Sequence, residues 1–268
     1  MITVRDSRVL LLIMLVAAAL TLAGCAQPTE GLKVGATAVP HAEILEYVKP
    51  VLAEQGVQLE IVVFNDYVQP NLALDAGELD ANFFQHLPYL EAFKADHDLD
   101  LVSVGSVHLE PMGVYSSKIT AISQLTAGAR IAIPNDVSQV GRVLNFLAAN
   151  DLIELRPGTG IMGTVQDITA NPLGLEFILL EAATLSRVLD DPAISAAVIN
   201  TNFALEAGLN PLDDALLLED GDSPYANVVA VKSGHENDPA IQALMDALQS
   251  EAVKQFIEEE YAGAILPA

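Results

Sequence analysis

The stretch "DANFFQHLPYL" (residues 80–90) gathers two phenylalanines, Phe83 and Phe84, with His86 and Tyr89, in a chain with 5% aromatic residues and no Trp. Its first half is strand-like. Pro88 then opens a helical pattern, because a missing N–H is tolerated in a first helical turn. A buried corner would account for the phenylalanines but not for His86 and Tyr89. A small-molecule pocket where a strand ends and a helix begins accounts for all four.

The same alternation extends in both directions. "LKVGATA" (32–38), "LEIVVF" (59–64) and "LVSVGSV" (101–107) read as strands, "LEIVVF" as a buried one. Between the first two, residues 41–55 place Ile44, Leu45, Val48, Val51 and Leu52 on one helical face. Pro50 falls within that helix and is expected to kink or divide it. "RIAIP" (130–134), "LEFILLE" (175–181), "AAVIN" (196–200) and "YANVVAV" (225–231) are further strands. "NDVSQVGRVLNFLAAND" (135–151) is a helix with Val140, Val143, Leu144 and Leu147 on one side, "AATLSRVL" (182–189) is helical, and residues 238–261 form one or two helices. Such alternation predicts an α/β fold of mostly parallel sheets flanked by helices. Ligands then sit outside the carboxyl ends of strands.

Four other stretches take that position: "FNDYVQPN" (64–71), "EPMGVYSSK" (110–118), "IPNDVSQVGR" (133–142) and "INTNFALEAG" (199–208). "DSPYANVVAV" (222–231) puts a tyrosine and an asparagine at a strand's entrance. Arg142 lies within two turns of a helix start, where a guanidinium fork suits a carboxylate. A surface arginine paired with an acidic neighbour reads equally well. Asn200, Asn202 and Asn227 offer donors and acceptors that can hold a zwitterion, and also serve in turns and caps. Tyr67, Phe84 and Tyr89 read as apolar walls or as plain core.

The 36 acidic against 12 basic residues give a net charge of −24, which disfavours nucleic acid as a partner. No GxSxG, P-loop or HExxH occurs, so no enzyme chemistry is expected. His41, His86, His97, His108 and His235 include no pair at i, i+3 or i+4. A metal site using His86 with other histidines is the minor alternative, and neither metal nor cofactor is expected.

The first residues carry Arg5 and Arg8, then the apolar run "VLLLIMLVAAALTL", then "LAGC" ending at Cys25, the sole cysteine. This reads as a signal peptide (1–24) with a lipobox, Cys25 being lipidated and tethered to a membrane through residues 25–31. Removing residues 1–24 takes away Arg5, Asp6 and Arg8, leaving 10 basic and 35 acidic groups. With its thiol consumed, the chain forms no disulfide.

Together "FNDYVQPN", "LDANFFQHLPYL", "EPMGVYSSK", "IPND" with "GR", "VINTNFALEAGLNP" and "DSPYANVV" resemble the NlpA/MetQ-type lipoproteins, methionine-binding components of bacterial ABC importers. The resemblance spans about residues 32–261. It implies a two-lobed periplasmic-binding-protein fold (type II-like), with the ligand cleft between lobe I (32–112 plus 227–268) and lobe II (113–226). It further implies that Tyr67, Phe84 and Tyr89 enclose the ligand side chain with His86 beside them. Arg142 would take the ligand carboxylate, and Asn200 and Asn227 the head group. The implied partners are methionine (L- or D-), another amino acid or a methionine-containing dipeptide, and an ABC permease with its ATPase. Phe203 departs from the pattern, which often has tyrosine there; a hydroxyl contact is lost.

Overall fold

The computed structural model describes residues 31–221 and 224–268. The expected leader (1–24) and Cys25 lie outside them, as does most of the expected tether (25–31).

The strands, in chain order, are β1 (Leu32–Thr37), β2 (Leu59–Phe64), β3 (Ala81–His86), β4 (Leu101–Leu109), β5 (Gly113–Tyr115), β6 (Arg130–Pro134), β7 (Glu154–Leu155), β8 (Ile168–Ala170), β9 (Glu176–Leu180), β10 (Ala196–Ile199), β11 (Leu217–Leu218), β12 (Ala226–Lys232) and β13 (Leu266–Pro267). The α-helices are α1 (Glu43–Glu54), α2 (Gln69–Asp75), α3 (Leu87–His97), α4 (Val137–Ala149), α5 (Thr201–Glu206), α6 (Pro211–Asp214), α7 (Pro239–Leu248) and α8 (Glu251–Tyr261).

One lobe is built on a six-stranded sheet, order β13-β4-β12-β3-β1-β2, the other on a five-stranded sheet, order β11-β5-β10-β6-β9. The chain crosses from one to the other between β4 and β5 and returns between β11 and β12. Strand–helix units supply the parallel pairs: β1 with β2 and β3, and β6 with β9 and β10. The sheets are nevertheless mixed rather than mostly parallel. A strand returning from the other lobe enters from the cleft end, so β12 runs antiparallel to both β3 and β4. For the same reason β5 runs antiparallel to β10 and β11.

Each lobe has its own core. In the first, Ile44, Leu45, Val48 and Leu52 of α1 pack with Val34, Phe83, Val229 and Val231 of the sheet. Complete burial of each such side chain contributes roughly 1.5–3 kcal/mol. In the second, Val140, Val143, Leu144 and Leu147 of α4 pack on Ile131, Ile133 and Val198.

Pro50 does not divide α1, which runs unbroken. It sits on the exposed side, so the carbonyl it leaves unpaired faces water. Val51, expected on the buried face, is 46% exposed. β2 is an edge strand and only half-buried. The helical pattern over residues 182–189 resolves into two short 3-10 turns, Ala182–Thr184 and Arg187–Asp190. The closing segment is two helices, because the Ser250 side chain accepts from Val253 N–H and starts a second one.

All six residues of β3 are buried, although three are polar. Asn82 and Gln85 satisfy themselves against Asn71 of α2: Asn82 Nδ2 and Gln85 Nε2 each donate to Asn71 Oδ1 at 2.8 Å. Asn71 Nδ2 donates to Gln85 Oε1 at 2.8 Å. This amide cluster lets β3 run polar groups through a dry layer to the cleft. Phe83 is plain core, wedged against the His41 and His108 rings.

Candidate functional site

β3 and β4 end on the cleft, and β12 begins there between them. The register places Asn227 opposite both His86 and His108. Tyr67 arrives on the loop after β2, and Tyr89 in the first turn of α3. From the second lobe come α4, with Gln139 and Arg142 three residues apart on one face, and Asn200 with Thr201 at the start of α5. All of these except His108 line a cavity of about 330 Å³, mouth included, together with Phe84, Gln85 and Glu110.

All seven residues named from the sequence (Tyr67, Phe84, His86, Tyr89, Arg142, Asn200 and Asn227) lie on its wall. Four others on that wall were not singled out. Gln139 had a signal, its i, i+3 spacing from Arg142. Glu110 opens the "EPMG" stretch directly after a strand. Gln85 and Thr201 merely adjoin named residues.

One wall is aromatic. The Tyr67, Phe84 and Tyr89 rings meet pairwise with centroids 5.8–6.0 Å apart, and Phe203 stands 4.9 Å from Tyr67. Tyr89 Oη donates to the Tyr67 carbonyl at 2.8 Å, and Tyr67 Oη donates to Asn202 Oδ1 at 2.5 Å. The second bond spans the cleft. Burial pushes both phenols up, so both remain protonated donors.

Arg142 is 3% exposed. Its Nε stands 3.1 Å from both Glu219 carboxylate oxygens, its Nη2 donates to Glu219 and to the Glu110 carbonyl, and its guanidinium lies over the Tyr225 ring. The two readings of Arg142 therefore coexist: it has an acidic partner, yet it is buried on the pocket wall. Nη1 has no hydrogen bond among the described residues.

Glu110 is the pocket's carboxyl group. Its Oε1 accepts from His108 Nε2 at 2.8 Å and faces His41 Nε2 at 3.3 Å; its Oε2 accepts from Asn202 N–H at 3.1 Å. His41 Nδ1 pairs with the Thr37 hydroxyl at 2.7 Å. Burial drives His41 down to about 4 and His108 to about 3, so both are neutral; His108 presents its Nε2–H to the carboxylate, while the His41 Nε2–H bonds Asn227 Oδ1 beside it. Burial also pushes Glu110 itself upward. His41, His108 and Glu110 converge closely enough to hold a metal. As neutral imidazoles around a carboxylate, however, they already close as a hydrogen-bonded set, with only His108 Nδ1 left over. His86 takes no part in that cluster. Its contacts are Tyr89, Gln139 and Tyr225, which corrects the idea of a metal site built on it.

Asn200 caps nothing with its side chain, and its Oδ1 is buried without a partner. Asn227 Oδ1 pairs with His41 Nε2 at 3.2 Å. The site thus offers a guanidinium and a carboxyl group, whose residues are joined by the Arg142 Nη2–Glu110 carbonyl hydrogen bond, with amides and an aromatic wall around them. No nucleophile–base pair is among them.

The model of the NlpA lipoprotein family matches residues 32–268. The chain is 42% identical over 237 residues to the methionine-binding lipoprotein MetQ of Bacillus subtilis, covering 87% of this chain and 86% of that one. A nutrient-binding protein from Burkholderia cenocepacia, solved bound to methionine, matches with TM-score 0.85 and 43% identity over 88% of this chain and 99% of its own. A periplasmic substrate-binding protein of an ABC transporter from Coxiella burnetii matches with TM-score 0.84 and 44% identity over 88% and 100%. A matching family model over nearly all the described residues, with relatives above 40% identity and the same two-lobed fold, leads to one conclusion: this chain belongs to the NlpA lipoprotein family.

Proposed function

We propose that this protein captures methionine outside the cytoplasm and delivers it to an ABC permease, without covalent chemistry. The observation that carries the reading is the make-up of the cavity wall. Arg142 and Glu110 present opposite charges to a zwitterion, and Tyr67, Phe84 and Tyr89 form an apolar wall. In this reading Arg142 Nη1 takes the ligand carboxylate and Glu110 takes the ammonium. Asn200 and Asn227 fix the head group, and the rings enclose the polarizable thioether. A buried pair of unlike charges rejects ligands lacking either group.

The lobes, with boundaries near residues 112/113 and 226/227, close as bodies on a ligand that touches both. Closure is then a population shift driven by differential affinity. No helix among the described residues is long and apolar enough to cross a membrane. In this reading a lipid on Cys25 supplies the membrane attachment, and the permease with its ATPase receives the cargo.

The test is to denature the purified protein and identify any released small molecule by mass spectrometry, then to titrate stripped, refolded protein with L-methionine, D-methionine and methionine dipeptides. Methionine near one per chain, or its binding on titration, supports the reading. Release of another amino acid or a dipeptide keeps the transport role and changes the cargo. Protein that arrives empty and binds none of the three removes the methionine assignment.

A further inference from the structure

His86 and Gln139 face each other across the cleft, and the proton inventory of that contact does not balance unless the amide is turned. His86 caps α3: its Nδ1 accepts the Tyr89 backbone N–H at 3.1 Å. A backbone N–H can only donate, so Nδ1 is unprotonated. An imidazole ring carries at least one proton, which must then be on Nε2. His86 Nε2–H is therefore a donor, and the group 3.0 Å away is the Gln139 side-chain amide. An amide nitrogen there would set donor against donor. Meanwhile the Gln139 oxygen, facing the other way, is buried with no partner. The first conflict vanishes when the amide oxygen accepts from His86, and the NH2 group then takes the orphaned position, where it is a donor awaiting an acceptor.

Burial and the nearby Arg142 charge hold His86 down to about 3, so a doubly protonated ring does not rescue the other arrangement. Gln139 is 2% exposed and His86 4%, so water is no ready substitute. Gln139 is one turn from Arg142 on α4, and both line the pocket.

We propose that His86 is a positioning residue that locks the Gln139 amide with its NH2 turned into the pocket, where it donates to the ligand carboxylate alongside Arg142. This rests on the amino-acid-binding reading above and deepens it. Because His86 and Gln139 belong to different lobes, the donor is oriented only when the lobes are closed. Carboxylate recognition is thereby tied to closure.

The experiment compares L-methionine with L-methioninol, which lacks the carboxylate, in wild type, Gln139→Met, Gln139→Glu and His86→Phe. Removing a hydrogen bond to a charged group in Gln139→Met should raise the L-methionine Kd roughly 10- to 100-fold. The methioninol Kd should change little. Gln139→Glu still accepts from His86 but turns a carboxylate oxygen toward the ligand's, so it should reject methionine more strongly than methioninol. In the His86→Phe background, Gln139→Met should add much less than it does alone. Nitrogen-15 NMR of labelled histidine should show His86 protonated at Nε2 and bare at Nδ1. Equal losses for both ligands, full additivity of the two substitutions, or the opposite tautomer would each overturn the inference. If wild type binds neither ligand, the methionine reading falls, and this inference with it; if wild type binds methionine and the variants do not discriminate, only this inference falls.

Discussion

The Arg142 guanidinium presents Nε to both carboxylate oxygens of Glu219 at 3.1 Å, an ion pair whose side chains are 3% and 13% exposed. Glu219 thus fixes the plane of the fork before any ligand arrives. Preorganisation of this kind lowers the entropy lost on binding.

Arg142→Ala should weaken methionine binding by at least about 2 kcal/mol, the scale of a truncated buried charge pair. Calorimetric titration measures it. Affinity within twofold of wild type would remove Arg142 from the carboxylate role.

Glu110 must be ionised to attract an ammonium, and burial raises its pKa. Affinity should therefore fall as pH drops through that raised value, and Glu110→Gln should abolish that fall while weakening binding at neutral pH. A Kd that holds constant from pH 8 to 5 in wild type would argue against an ammonium contact.

His41, His86 and His108 are held down to about 4, 3 and 3, against an ordinary 6.5. The unfolded chain binds protons at these positions near 6.5 while the folded chain refuses them. Each group therefore withdraws stability as pH falls from about 6.5, down to about 4 for His41 and about 3 for His86 and His108. Ring-proton NMR should find all three neutral at pH 5.5. A titration midpoint at or above 6 for any of them would contradict the burial that holds it down.

The Tyr67 hydroxyl joins the lobes through Asn202. Tyr67→Phe keeps the ring wall and removes that link, and should weaken binding by about 1 kcal/mol, the net worth of a typical hydrogen bond. The effect should appear mainly in the dissociation rate, measured by stopped flow, since the link forms on closure. Unchanged dissociation would mean that the bond plays no part in holding the lobes together.

Gly141 is set beside the 156–163 loop so tightly that an added Cβ would meet the Ile161 carbonyl oxygen at 2.0 Å. The obstacle is backbone and cannot rotate away. Gly141→Ala should cost about 1–3 kcal/mol in a urea melt. A neutral result would show that the loop moves freely off α4.

Local chemistry alone determined much of this molecule. The 3.6-residue spacing of Val140, Val143, Leu144 and Leu147 determined α4, and Pro88 after "FFQH" determined where β3 gives way to α3. The strand-end positions of Tyr67, His86 and Asn200, and that of Arg142 near a helix start, pointed to one crevice, because strand ends and the helix starts that follow them face the gap between lobes. Only the tertiary structure decided what those residues touch. Strand direction in β5 and β12 depends on the end from which a returning chain enters, which no local pattern records. The Glu110 cluster draws His41 from one end of the first lobe's chain and Asn227 from the other, a pairing made by β12 inserting between β3 and β4. The Arg142 partner, Glu219, lies 77 residues away, and the orientation of Gln139 depends on a histidine 53 residues before it. Contacts of that range are set by packing, where a buried polar group takes whichever partner the fold delivers.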